Sequence, residues 1–352
     1  MKRVDSFVLP SGFEPQGDML DAVRAAHEQY ISMGIDDIRR ISPEATRDPE
    51  HGITFVDYEP REAYDRAHAL VIQKTSGNGH GLNWACRLRL LQDCLPEPTR
   101  IISFPSPSTR PPVGMRATDH IRETILLNQA EIDEVTAGNF APIGRRQAGV
   151  LRKLKVQQVQ EIGYSQGASI GAGVLPIFAD QFEVGHSGLF EPANLQARSE
   201  RALKFAHTAS ALGFIQAVHD TALPVFEELQ EVRPRDLLRQ LYKSIRFRRG
   251  DKTMPLQQTL ESGLSGDGFL SDVSDFLEKK GEAHLLVVRG SKSRVATAQG
   301  FEHLRTLQSD RLHTLEVPHY GHGLGNNLAL FALLSTAALN NIVLDARHSS
   351  DV

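Results

Sequence analysis

Cysteine is nearly absent from this chain: Cys86 and Cys94 are its only two. They lie eight positions apart in a segment with helical spacing, about 12 Å along a helix axis. That is beyond the reach of a disulfide, so both read as buried structural residues. Long apolar runs are absent too. No window approaches the ~18 residues of a membrane span. The N-terminal MKRVDSFVLPSGFEP has basic residues but no apolar stretch behind them, so it does not read as a signal peptide. Cytoplasm is the default compartment. There is no basic tail, and the formal net charge is -4 with a pI near 6.4. Nucleic acid is therefore not the expected partner. No internal repeat or low-complexity tract occurs. No His/Cys/Asp/Glu grouping has metal-ligand spacing, so neither a metal nor a cofactor is expected. The single tryptophan, Trp84, reads as core.

What is present is ordinary for a globular protein: 40% hydrophobic and 23% charged residues. Short apolar runs alternate with helical stretches. Residues 53–58 (ITFVDY), 69–73 (ALVIQ), 101–104 (IISF), 156–162, 182–190, 284–288 (HLLVV) and 312–317 (LHTLEV) read as strands. Residues 82–95, most of 116–154, and a stretch from about 326 read as helix. Such alternation implies a mostly parallel, doubly wound sheet with helices on both faces. Between residues 194 and 282 the pattern is helix after helix, with no strand. That divides the chain into a core at 1–195 and 283–352 and a helical insertion at 196–282. The run Arg246-Phe247-Arg248-Arg249 within it reads as a solvated helix end, with contact to an anionic substrate as the alternative.

Three motifs carry chemistry. Gly163-Tyr164-Ser165-Gln166-Gly167 fits G-x-S-x-G, between a strand and a helix of small residues. A serine on so sharp a turn needs near-absent side chains two positions away on either side, and Gly163 and Gly167 meet that need. The plain alternative is a glycine-rich packing turn. A serine hydroxyl is a poor nucleophile unless an imidazole takes its proton. His322 follows the last strand and is flanked by Gly321 and Gly323, which give the loop reach. His319 competes, but it follows the strand too closely and reads as a surface histidine. Finally, Thr75 to Gly81 (TSGNGHG) follows an early strand. Acyl transfer needs two backbone N–H groups for the oxyanion. Gln166 and Ser76 are the candidates. A phosphate-cradling loop is the alternative, but the Lys-Ser/Thr of a P-loop is missing.

Together GYSQGA, the glycine-rich loop, HLLVVRGSKSRV and LEVPHYGHG resemble the α/β-hydrolase superfamily over roughly residues 50 to 345. The resemblance implies that fold, a helical cap in the insertion, and a serine hydrolase. An ester would be the small-molecule substrate, with an amide or thioester as lesser options. Oligomeric state is left open. One departure stands out. In many members the strand matching HLLVV is followed by a glycine and, three residues on, by the catalytic aspartate. Here that residue is Ser293, and no carboxylate occurs between Val288 and Gln299. Some members carry the acid after the preceding strand instead. Glu191, at the end of 182–190 and before Pro192, is the candidate, with Glu302, Asp310 or no acid as alternatives. With no acid, the chain would be a non-catalytic scaffold that binds a small molecule or a protein.

Overall fold

The computed structural model describes residues 17–74, 82–104, 125–203, 205–206, 262–279 and 281–341. Strands β1 (Ala45–Asp48), β2 (Ile53–Tyr58), β3 (His68–Gln73), β4 (Arg100–Phe104), β5 (Gln158–Tyr164), β6 (Glu183–Val184), β7 (Ser187–Phe190), β8 (Leu285–Gly290) and β9 (Leu312–Val317) form one sheet. Its order is β1-β2-β4-β3-β5-β7-β8-β9, with β6 paired to β5. The β1–β2 and β2–β4 pairs are antiparallel, and all pairs from β4 to β9 are parallel. Every residue of β4, β7 and β8 is buried. Strands covered on both faces read as unbroken apolar runs rather than as alternation.

One face of the sheet carries α1 (Gly17–Ser32), α3 (Leu82–Cys94) and α9 (Leu328–Leu339), with the short α2 (Ile35–Ile41) against α3. Helix α9 is apolar all round, LALFALLSTAAL, and all twelve residues are buried. That is the composition of a helix with no solvent face. The other face carries α5 (Ala141–Lys153), α6 (Gln166–Ala179), α7 (Gly268–Glu278) and α8 (Ala298–Arg305). The small α4 (Gln129–Thr136) begins with a capping box, in which Asn128 accepts from the Glu131 N–H and Glu131 bonds back to the Asn128 N–H. Cys86 and Cys94 are buried free thiols on α3.

Most of the segment read as a helical insertion, residues 207–261, lies outside the described residues. Its two flanks meet: the Arg198 N–H donates to the Ser265 carbonyl, and the Ser262 hydroxyl to Glu200. Within the 196–282 range, α7 packs on α6 and buries Phe269, Val273 and Phe276 with core residues of β8 and α8. Of residues 116–154, which read as mostly helix, 116–124 lie outside the described residues, and the rest is interrupted at 125–128 and 137–140, where Asn128 caps one helix and Pro142 stands in the first turn of the next. No described helix is long and apolar enough to cross a membrane.

One carboxyl group is locked into this core. Glu161 on β5 is fully buried under α6, where a Cβ on Gly171 would lie 3.0 Å from its Oε1. Burial pushes its pKa up to about 8. The folded protein therefore holds a proton there that the unfolded chain releases near its ordinary value, so stability falls as pH rises toward 8. Glu161→Gln keeps the shape and removes the titration. Its Tm should exceed wild type by several °C at pH 8 and should match it at pH 4.5, as thermal melts at the two pH values can measure. Equal effects at both would refute the linkage.

Candidate functional site

The sheet register puts Tyr164, Phe190 and Val288 in one row across β5, β7 and β8. The next residues on the first two strands, Ser165 and Glu191, therefore emerge side by side at the carboxyl edge. Both leave their strands by an unusual turn. Five described non-glycine residues have positive φ, and Ser165 and Glu191, each at 58°, are two of them. Such backbone costs of order 1–3 kcal/mol and is held by its surroundings. For Ser165 the surroundings are clear. Its N–H donates to the Phe190 carbonyl at 2.8 Å, and α6 begins directly after it. Gly163 and Gly167 allow the turn: a Cβ on Gly163 would lie 2.7 Å from Ala168 Cα, and one on Gly167 would overlap the Gln73 carbonyl oxygen.

His322 arrives from the loop after β9. Its Nε2 lies 2.7 Å from Ser165 Oγ, and its Nδ1 lies 2.9 Å from Glu191 Oε2. Ser165, His322 and Glu191 thus form one continuous hydrogen-bonded chain. The Tyr164 hydroxyl donates to the His322 carbonyl, and its ring stacks on the imidazole with centroids 6.0 Å apart. Loop position and ring orientation are fixed by the residue preceding the serine. His319 lies elsewhere. It is exposed, and its N–H donates to Ser291 Oγ.

Glu191 has no exposed surface. Its Oε1 accepts from the Gly290 N–H, and its Oε2 accepts from Ser293 Oγ at 2.5 Å as well as from His322. Ser293 stands three residues after Gly290, in the loop that follows β8, and carries no charge. It donates to the carboxylate that reaches across from the neighbouring strand. Its Oγ also accepts from the Ala296 N–H at 3.1 Å, which fixes the hydroxyl so that its proton faces Glu191. Neither Glu302 nor Asp310 takes part: Glu302 pairs with Arg305 on the exposed face of α8, and Asp310 is exposed.

Of the two oxyanion candidates, Gln166 is the first residue of α6, at the positive end of the helix dipole. Ser76 lies outside the described residues, as does the rest of the Thr75 to Gly81 loop on which the phosphate-cradle alternative rested. Lys74, which leads into that loop, is buried, and its carbonyl lies where a side chain on Gly167 would go. Away from this edge, Asp48, Glu50 and His51 are the one grouping among the described residues whose ligand atoms are close enough for a metal ion. Lys153 already pairs there with Asp48 at 2.7 Å and Glu50 at 3.6 Å.

No family model and no curated protein sequence matches the chain. Solved structures do. A 2-hydroxy-6-oxo-6-phenylhexa-2,4-dienoate hydrolase from Rhodococcus sp. strain RHA1 aligns with a TM-score of 0.52 and 11% identity, over 81% of this chain and 94% of that one. An E-2-(acetamidomethylene)succinate hydrolase aligns at 0.51 and 15%, over 85% and 99%. A bromoperoxidase from Bacillus anthracis aligns at 0.50 and 14%, over 86% and 99%. The chain has the α/β-hydrolase fold.

Proposed function

We propose that this protein is a serine hydrolase that cleaves a small-molecule ester through an acyl-serine intermediate. The observation that carries the reading is the Ser165–His322–Glu191 chain, with both links at hydrogen-bond distance. In the proposed cycle Ser165 Oγ attacks the ester carbonyl while His322 Nε2 takes its proton. Glu191 holds the Nδ1–H tautomer and stabilises the imidazolium. The oxyanion is met by the Gln166 N–H and by a second N–H from the loop after β3, with Ser76 as the donor inferred from sequence. His322 then gives its proton to the leaving alkoxide. Water, deprotonated by the same imidazole, cleaves the acyl-serine and returns the site to its starting state.

The fold adds support, since two of the aligned structures are named as hydrolases and the nucleophile stands at the carboxyl edge of a parallel sheet, where such folds bind ligands. The insertion is assigned the shaping of the pocket. Its flank is tied by Arg198 to the carbonyls of Arg294 and Val295, next to Ser293. A fluorophosphonate probe tests the reading. It should label one residue, Ser165, by mass spectrometry, and labelling should vanish in a folded Ser165→Ala variant. Modification at another residue, or none, would refute it.

A further inference from the structure

Arg87 on α3 is the least explained charge in the described molecule. It has no exposed surface, and its Nε, Nη1 and Nη2 find no hydrogen-bond partner. Its Cζ lies 4.6 Å from the ring centre of Trp84 and 5.3 Å from that of Phe331. The rings favour the cation, but they leave the N–H groups at the guanidinium edge without acceptors. The neighbouring groups that would favour its charge are Tyr164 and Cys86. Burial pushes the Tyr164 phenol up and the Cys86 thiol up to about 12. Both are therefore neutral at pH 7, and neither cancels the charge. Burial also lowers Arg87 itself, to about 10, which leaves it a cation. Lys74 is a second buried basic group, with Nζ 5.6 Å from the same Trp84 ring. A buried guanidinium without acceptors is costly. It becomes favourable where a ligand completes it.

The location says which ligand. Lys74 follows β3, and its carbonyl abuts Gly167 of the nucleophile turn. Tyr164, which Arg87 senses, precedes Ser165 and stacks on His322. Arg87 thus neighbours Tyr164 and, through Phe331, whose ring centre is 6.0 Å from that of Phe190, the residues directly before Ser165 and Glu191. A planar fork with parallel N–H groups matches a carboxylate in bidentate fashion.

We propose that Arg87, packed against the rings of Trp84 and Phe331, anchors a buried subsite that binds a carboxylate carried by the substrate. The substrates would then be half-esters of short dicarboxylic acids, with the ester at Ser165 and the free carboxylate at Arg87. This deepens the hydrolase reading and rests on it.

Two arms test it separately. In the kinetic arm, monomethyl succinate and methyl butyrate are compared by pH-stat titration. The wild-type enzyme should show a KM for the succinate half-ester about tenfold or more below that for the neutral ester, the scale of one charge-assisted pair. Arg87→Met should abolish that preference. In the binding arm, the emission of Trp84, the only tryptophan, is followed during titration with succinate. A saturable change should occur in wild type and in Ser165→Ala, and should be lost in Arg87→Met. Should Arg87→Met fail to fold, Arg87→Lys decides, because losing the fork should raise the KM of the half-ester alone. Unchanged ester preference, or a succinate response that survives in Arg87→Met, would overturn the proposal. A serine that does not react with fluorophosphonate would instead sink the hydrolase reading, and the succinate titration would still stand or fall by itself.

Discussion

Alanine in place of His322 is expected to lower kcat by about six orders of magnitude, the scale seen when a base that works as a unit with its nucleophile is removed. Ser165 Oγ has one described partner that can accept its proton, and that partner is His322 Nε2 at 2.7 Å. Without the imidazole the hydroxyl stays protonated at neutral pH. The oxyanion donors then have no tetrahedral intermediate to stabilise. The variant should fold, because the side chain is near the surface of the site and its main bonds are to Ser165 and Glu191. The loop keeps its anchor, since the Tyr164 hydroxyl bonds to the backbone carbonyl of residue 322 rather than to the ring. His319→Ala is the control. That ring is exposed, and the described bond at His319 comes from its backbone N–H, so the loss should stay below about tenfold. Steady-state kinetics on a short ester, with circular dichroism on both variants, measures the contrast. A larger loss at His319 than at His322 would remove His322 from the proposed role.

The elements that hold this site could be read from the sequence because each obeys a local rule. The central strands are short apolar runs, as strands buried on both faces must be. Ser165 could be placed on a turn because Gly163 and Gly167 bracket it, and the structure puts the Ala168 backbone and the Gln73 carbonyl in the space that larger residues would need. Glu191 could be placed beside Ser165 because it follows the strand next in sequence after Ser165's own. Ser293 was harder. Its contact with Glu191 spans 102 residues of sequence and exists only through the register of β7 with β8. No spacing within either strand records that pairing. Arg87 was missed for a related reason. Trp84, Leu88 and Leu91 follow helical spacing on the buried face of α3, and an arginine beside them reads as the helix's solvent side. Burial on all sides arises because α9, more than 230 residues later, closes over it with Phe331. The helices near the N-terminus, α1 and α2, pack on α3, a long-range contact that local pattern does not record.

Glu191→Gln is expected to lower kcat by about four orders of magnitude while leaving the fold intact. The carboxylate works as an acceptor on both oxygens: Oε1 faces the Gly290 N–H, and Oε2 faces Ser293 Oγ and His322 Nδ1. A glutamine cannot satisfy that set. If its NH2 group faces Gly290, two donors meet. If the NH2 group faces His322, Nδ1 must become the acceptor and the proton moves to Nε2, where it points at Ser165. In that tautomer the imidazole cannot take the serine proton. The charge that stabilises the imidazolium is lost in either case. The serine three residues after Gly290 offers a stringent check. Ser293 Oγ bonds the same carboxylate oxygen as His322 does, so an aspartate at 293 should approach the imidazole closely. In wild type, Ser293→Asp would set two carboxylates together and should reduce activity through their repulsion. In the Glu191→Gln background it should restore part of the lost kcat, because one acid is again present and unopposed. Rates of fluorophosphonate labelling across the three variants measure this without requiring the natural substrate. Glu191→Gln retaining wild-type reactivity would rule out Glu191 as the group that orients His322. A double variant no faster than Glu191→Gln would show that charge near the ring is insufficient, and that the strained turn at Glu191 itself sets the geometry.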